Sequence, residues 1–231
     1  MELDFEPAWL GKLTRGLDAI AGEQLRQELM QGSQGQSSAC DPQQVTDWTN
    51  ALLDRMANLL DQESARAVMT RCACEYPKSD LQPLREEYER TKDVYVVHQM
   101  LQARLESFLR DTLKLSDELT DEVLARGWGV AGELKGNTIV STKIPKSGNL
   151  VKYFEETDPA ARRRLYCHCP RMRHVFQTSG KMSQLYCYCG AGFYRGIWEE
   201  ILQRPVDVEV LETVLSGGDV CRIAIHLPPN A

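Results

Sequence analysis

Two cysteine pairs with similar surroundings are the residues whose types and spacing point most directly to chemistry. The segments LYCHC and LYCYC contain Cys167 with Cys169 and Cys187 with Cys189, so each is a CxC motif. Their aromatic-rich context predicts a short strand for each motif, and residues two apart in a strand project from the same face. Two such strands side by side would bring four sulfur atoms together, which is the tetrahedral ligand set that zinc favours. The motifs therefore predict a zinc site.

Two other interpretations of these cysteines stay open at the sequence level. The thiols could form a redox switch, although a disulfide within an extended CxC motif would be strained, because its Cα atoms stand near the upper limit of bridging geometry. They could also be small buried hydrophobic residues, since free cysteine is often buried. A third motif, Cys72-Ala73-Cys74, carries the same alternatives, because Cys72 falls on a helical apolar stripe. Cys40 lies in a predicted linker and has no expected role.

Cys189 has a second candidate role, as a nucleophile. It directly precedes Gly190-Ala191-Gly192, where the pattern predicts that a helix begins. A helix N-terminus lowers the pKa of a thiol and can bind an anion through its free backbone N–H groups. Gly190 and Gly192 would let a carboxylate or phosphate approach the backbone closely. The alternative is that these glycines allow tight packing of the helix.

A basic cluster flanks the first CxC motif, and its members could hold an anionic ligand or stabilise thiolates. Arg171 and Arg173 are the best placed for an anionic ligand. The alternative is a solvated charged edge, which is what runs of like charge usually form. The cluster consists of Arg162, Arg163, Arg164, Arg171, Arg173 and His174.

Composition narrows the class of protein. The chain has 231 residues and a net charge of −6, which argues against a general nucleic-acid binder. It contains no apolar run long enough to cross a membrane, and the start MELDFEPAWLGKL is not typical of a signal peptide. These features predict a cytoplasmic protein, and in a reducing compartment paired cysteines favour metal binding or catalysis over structural disulfides.

The elements that must position these residues divide into two regions. Helical periodicity predicts a helical region over 1–126, with a flexible linker at 31–41 and its strongest helix within 81–115, where an apolar stripe runs from Val94 to Thr112. The remainder, 127–231, is predicted as an α/β metal- and ligand-binding domain. It contains a strand over 137–145, the two CxC strands, a helix after Cys189 and a final hairpin. The predicted class is α+β, with a helical N-terminal half packed on an antiparallel sheet with helices.

The segment GWGVAG at 127–132 has GxGxxG spacing. It follows a helical pattern and precedes a strand, which reverses the context of a dinucleotide-binding motif. We therefore expect a turn there and no nucleotide cofactor.

The C-terminal stretch YCYCGAGFYRGIWEEILQRPVDVEVLETVLSGGDVCRIAIHLP resembles the second half of vinyl-4-reductase-type ligand-binding domains. In that group a Cys/Gly segment leads into a helix, an RPV-containing strand and a hairpin with cysteine in its last strand. The longer pattern, from GWGVAGELKGNTIVSTKIPK through YCHCPRMR to IAIHLP, is similar to an uncharacterised bacterial family. That family is loosely allied with 2-aminothiazoline-4-carboxylate hydrolase-like proteins. The likeness runs from residue 127 to the end and leaves the helical half unmatched.

The resemblance implies helices against an antiparallel sheet, a small-molecule pocket and a homodimer. It also implies a metal near Cys187 or Cys189 together with Cys221, which widens the candidate ligand set to five: Cys167, Cys169, Cys187, Cys189 and Cys221.

The leading expectation is a vinyl-reductase-like protein that binds zinc and a small anionic molecule. The first alternative is a hydrolase that acts on a C–N bond of a small heterocycle or amide, by metal hydroxide or by Cys189. The second alternative is a CxC thiol redox switch. The purpose of the helical half is not indicated by any of its motifs.

Overall fold

The structure is a computed structural model that describes residues 5–37, 39–178 and 180–229. Its class is α+β, as predicted: helices dominate the first half, and an antiparallel four-stranded sheet is built from strands in the second half. The helices are α1 (Phe5–Ala21), α2 (Glu23–Leu29), α3 (Pro42–Leu59), α4 (Gln62–Arg71), α5 (Lys78–Thr91), α6 (Val94–Ser107), α7 (Asp117–Ala125), α8 (Leu150–Glu155), α9 (Pro159–Tyr166), α10 (Pro170–Thr178) and α11 (Tyr188–Leu202). The strands are β1 (Glu133–Lys135), β2 (Thr138–Thr142), β3 (Asp207–Glu212) and β4 (Arg222–His226).

The chain forms two compact units. The first, which we call the helical unit, comprises Met1–Cys74 and Cys167–Gly192, and the second, the sheet unit, comprises Glu75–Tyr166 and Phe193–Ala231. The division differs from a boundary near residue 127, because compactness groups α5, α6 and α7 with the sheet. It also assigns the four cysteines of the LYCxC motifs to the same unit as α1 and α4, although Leu165 and Tyr166 belong to the sheet unit.

Side-chain caps explain where several helices begin. The Asp41 carboxylate accepts a hydrogen bond from the Gln43 N–H, with Pro42 in the first turn of α3. The helix predicted within 81–115, on the apolar stripe that starts at Val94, is confirmed as α6, which begins after Lys92 adopts a left-handed conformation at φ 53° and is capped by Asp93. A π-helical turn over Phe108–Thr112 follows α6.

The core of the helical unit forms where α1 packs against α4 and α2. Trp9, Leu13 and Leu17 of α1 are almost fully buried. Gly16 lies at the contact with α4, where a Cβ would be in ordinary van der Waals contact, 3.5 Å from both the Val68 carbonyl oxygen and the Arg71 Cβ. Helix α3 contacts α10, so the start of α3 lies beside the helix that carries Arg171, Arg173 and His174.

The sheet unit contains the strand order β1-β2-β4-β3, with every pair antiparallel. The predicted strand at 137–145 and the predicted C-terminal hairpin are both confirmed as β2 and the β3–β4 pair. Ile223 and Ile225 of β4 are buried, while Arg222 and His226 are exposed. The GWGVAG segment is a turn, as predicted, with positive φ at three of its glycines. Within the described residues, no helix is long and apolar enough to cross a membrane.

The prediction that the two LYCxC segments are strands was wrong. The first ends α9, which begins after Asp158 accepts a hydrogen bond from the Ala161 N–H at 2.7 Å, and alanine and arginine favour the helix. The second forms a 3-10 turn over Gln184–Cys187, capped by Ser183, and leads into α11. Helix α11 therefore begins at Tyr188, two residues before the predicted start.

Candidate functional site

The four paired cysteines sit at the ends of helices rather than in paired strands. Cys167 and Cys169 lie in the loop between α9 and α10, Cys187 ends the 3-10 turn, and Cys189 occupies the first turn of α11. Residues two apart in such segments do not share a face. The geometric argument for four converging sulfurs therefore fails, because it depended on extended backbone.

The tertiary structure joins members of different CxC motifs instead. The Cys169 Sγ lies 3.0 Å from the Tyr186 Oη, within hydrogen-bond distance. The Cys189 Sγ donates to the Cys72 carbonyl oxygen at 3.3 Å, and the Cys72 Sγ donates to the Val68 carbonyl oxygen at 3.4 Å. All eight cysteines lie in the described part of the chain and are thiols rather than disulfides. Cys189 and the Cys72 backbone are thus joined by a hydrogen bond, Cys169 is placed against Tyr186, and all of these residues lie in the helical unit.

The environment of Cys189 is the opposite of what a thiolate nucleophile requires. Burial of the thiol raises the pKa of Cys189 to about 12, and the neighbouring Cys169 adds to the rise, while the Trp9 indole offsets part of it. Burial, followed by the proximity of Cys189, also raises the pKa of Cys72 far above its usual range. Both side chains are therefore neutral thiols at pH 7. The low pKa expected from the N-terminus of α11 is outweighed by desolvation.

The candidate metal ligands are not assembled as one site. Cys221 belongs to the sheet unit, where its backbone N–H donates to the Tyr166 Oη at 2.8 Å, whereas the other four candidates belong to the helical unit. Among the residues that the structure describes, no three Cys, His, Asp or Glu side chains stand close enough together to hold a metal ion. The donor chemistry suits zinc, but the present side-chain positions do not fit it.

Arg171 forms the centre of a buried polar contact in the helical unit. It is 3% exposed, and its guanidinium carbon lies 3.9 Å from the centroid of a Trp9 ring. The Arg171 Nη2 donates to the buried Glu6 carboxylate, and the Nη1 donates to the Tyr186 Oη at 3.4 Å. Burial opposes the charge, but Tyr186, Glu6 and Cys169 outweigh it and raise the pKa of Arg171. Its charge is thus already balanced within the protein.

Arg173 has a different environment, although it is only two residues from Arg171. It is part-buried, and no carboxylate of the described residues stands within ion-pair distance of its guanidinium group. Beside it, the His174 Nε2 lies 3.1 Å from the Gln43 Oε1, an acceptor, so that ring nitrogen donates. The two predicted ligand arginines therefore separate into one that is paired and one that keeps an uncompensated charge.

Both arginines line a cleft of about 300 Å³ in the helical unit. Apolar side chains form part of its wall, and they come from three distant segments: Phe5, Pro42, Val45 and Pro170. Its polar lining includes Arg171, Arg173, His174, Glu6 and Cys40. Two guanidinium groups against one carboxylate leave one positive charge on the described lining when His174 is neutral. Such a cleft can bind a small molecule that carries negative charge.

The two candidate glycines have separate explanations. A Cβ at Gly192 would lie 2.7 Å from the Thr70 carbonyl carbon and 2.9 Å from the Ala73 Cβ, so glycine is required for close packing of α11. A Cβ at Gly190 would meet no described atom within 4 Å, and the residue is exposed. For Gly192 the packing interpretation is sufficient. Neither glycine lines the cleft.

Sequence reasoning missed Glu6 and the role of Trp9. A signal was present, because Glu6 lies one helical turn before Trp9 on the same stripe as Leu13, and all three are buried. A carboxylate on a buried stripe implies a buried cationic partner. Cys40 was also missed as a lining residue of the cleft, since its linker carried no motif.

The fold and the cleft define an α+β protein with a cysteine-rich helical unit that carries a positively charged cleft. Residues 151–230 match a family of unknown function (DUF6144). The match spans less than half of the chain and includes the basic cluster and both LYCxC motifs, but not Glu6, Trp9 or Cys72. No curated protein and no solved structure matches the chain.

Proposed function

We propose that this protein binds a small anionic molecule in the cleft of its helical unit. The single observation that carries the proposal is Arg173, a part-buried guanidinium group on the cleft wall with no carboxylate partner among the described residues. Exposed arginines are neutralised by solvent and salt, but a part-buried charge in a concave site favours a counter-ion. The resemblance to vinyl-reductase-type ligand-binding domains also supports a role in binding a small molecule.

The other charges of the cleft are consistent with Arg173 as the residue that binds the anion. Arg171 is held by Glu6, Trp9 and Tyr186, so it fixes the position of α10 against α1. The Nε atoms of Arg171 and Arg173 are both buried donors without a partner in the described structure. A buried donor without an acceptor is costly, so a small rotation of Arg173 towards a bound anion would relieve that cost.

The test is titration calorimetry on the full chain with benzoate and phenyl phosphate as anionic probes and benzyl alcohol as the uncharged control. We expect at least one anion to bind and benzyl alcohol not to bind. Arg173→Gln should weaken binding by about 10- to 100-fold, the loss that corresponds to a hydrogen bond to a charged group. Arg164→Gln removes the same charge from an exposed position outside the cleft and should leave affinity within about twofold. Equal losses in both variants, or binding of neither anion, would refute the proposal.

We propose zinc binding as a second function, centred on Cys189. The supporting observation is that Cys189 interacts electrostatically with Cys72, Cys74 and Cys169, so that all three CxC motifs contribute a thiol near it. Assembly of a site would require these side chains to turn towards one another from the positions described above. Thiolates from the three motifs would hold the ion, and zinc would supply a link between the three segments.

Metal content of the purified full chain tests this second function. We expect about one zinc ion per chain, retained in Cys40→Ser and lost in Cys189→Ser. Substitution of cobalt should add an absorption band from thiolate ligands in the wild type. A wild-type protein without bound metal, or a Cys189→Ser variant that keeps its zinc, would contradict it.

We also propose the cytoplasm as the compartment in which the protein acts. This is supported by its eight cysteines, which are all thiols. The homodimer implied by the resemblance stays a prediction.

A further inference from the structure

We infer that the ligand of the cleft is a small monocarboxylate with an apolar body, in preference to a phosphate ester. This inference rests on the proposed anion-binding function and adds the chemical class of the ligand. It follows from the charge, the donor geometry and the wall of the cleft.

The charge of the described lining residues of the cleft matches one negative charge on a ligand. Glu6 lines the cleft and balances Arg171, so Arg173 supplies the surplus positive charge. A phosphate monoester carries close to two negative charges at pH 8. Its second charge would be uncompensated in a part-buried site and would face the Glu6 carboxylate, which is an unfavourable arrangement. A carboxylate leaves no excess charge of either sign.

The donors of the cleft also favour a carboxylate. A planar guanidinium fork matches the two oxygens of a carboxylate through parallel hydrogen bonds. A phosphate presents three acceptor oxygens and calls for more donors. The neighbouring donor His174 Nε2 is already directed to Gln43 at 3.1 Å, and two donors of Arg171 are directed to Glu6 and Tyr186. Among the described cationic residues of the cleft, Arg173 thus has the most hydrogen-bond donors left for a ligand.

The wall of the cleft selects the rest of the molecule. Phe5, Pro42, Val45 and Pro170 offer apolar surface from α1, α3 and α10. Burial of apolar ligand surface contributes about 25 cal/mol per Å². A volume of about 300 Å³ is at the lower end of small-molecule sites, so the ligand is small. An aromatic or branched aliphatic acid meets these conditions, whereas acetate leaves the wall in contact with water.

The experiment compares benzoate, acetate and phenyl phosphate on the full chain at pH 8 and constant ionic strength. We expect benzoate to bind at least tenfold more tightly than either of the other two. Phe5→Ala should weaken benzoate by severalfold and leave acetate unchanged, because it removes apolar wall and no charge. Arg173→Lys should weaken benzoate, since a lysine keeps the charge but loses the fork.

Each outcome separates the inference from the proposed function. If phenyl phosphate binds more tightly than benzoate and Arg173→Gln abolishes that binding, the cleft binds anions but the monocarboxylate inference is overturned. If benzoate and acetate bind with equal affinity, the inference that the ligand has an apolar body is overturned. If no anion binds the wild type, the proposed function itself fails.

Discussion

Gly192 lies where the N-terminal part of α11 meets the end of α4, and its replacement by alanine tests how closely these two segments pack. A Cβ at this position would lie 2.7 Å from the Thr70 carbonyl carbon and 2.9 Å from the Ala73 Cβ, and it would also overlap the Thr70 carbonyl oxygen. Carbon atoms in normal contact are about 3.5–4.0 Å apart. The two segments must therefore separate by roughly 1 Å.

The size of the effect follows from two opposing contributions. Insertion of a methyl group into a packed contact costs about 1–3 kcal/mol, and the cost here is against backbone, which cannot rotate away. Alanine favours a helix over glycine by at most about 1 kcal/mol, and by less near the end of a helix. The net loss for Gly192→Ala is then about 1–2 kcal/mol in the free energy of unfolding. For a chain of 231 residues, this lowers the melting temperature by about 2–8 °C.

Gly190→Ala is the matched control, because it makes the same chemical change in the same turn. Its Cβ meets no described atom within 4 Å, so we expect unchanged stability or a gain of up to about 1 kcal/mol. Both variants are compared with the wild type by urea denaturation followed by circular dichroism. A Gly192→Ala protein as stable as Gly190→Ala would refute the packing argument and would return both glycines to the role of ligand approach.

Three further predictions concern charge and thiols. Glu6→Gln should lower the free energy of unfolding, measured by urea denaturation, by about 3–5 kcal/mol because Arg171 loses its buried partner. The double variant Glu6→Gln with Arg171→Met should recover most of that loss. A double variant that recovers none of it would contradict the pairing of these two residues. The free energy of unfolding should fall as pH rises from about 9 towards 12. In the unfolded chain the Cys189 thiol ionises near its ordinary pKa, whereas in the folded protein its pKa is about 12 and it keeps its proton. The stability of Cys189→Ser should fall less steeply with pH, and identical slopes for the two proteins would be evidence against a raised pKa of Cys189. Cys74 is exposed and Cys72 is buried, so their thiols should differ in reactivity. After brief alkylation at pH 7, mass spectrometry should find at least tenfold more label on Cys74 than on Cys72. Equal labelling would contradict the burial of Cys72.

Several elements could be predicted from the chain alone because their causes are local. Three examples are the cap and first turn at Asp41-Pro42, the apolar stripe of α1 and the alternation in β3, and each depends on neighbours within a few residues. For the LYCxC segments, the local pattern predicts the wrong element. Their alternation suits a strand, but it is too short to outweigh helix-favouring arginines, alanines and flanking caps, so the strand prediction was wrong there.

The sequence by itself determined the α+β class, the C-terminal hairpin and the concentration of cysteine and arginine that marks a candidate site. Only the tertiary structure decided which arginine keeps a free charge. Arg171 is paired with Glu6, which is 165 positions away, whereas Arg173 on the same helix has no described carboxylate partner. The cleft likewise combines side chains from α1, α3 and α10. The physical reason is that helical periodicity arises from neighbouring residues, whereas charge compensation and shape arise from contacts between distant segments that no local pattern encodes.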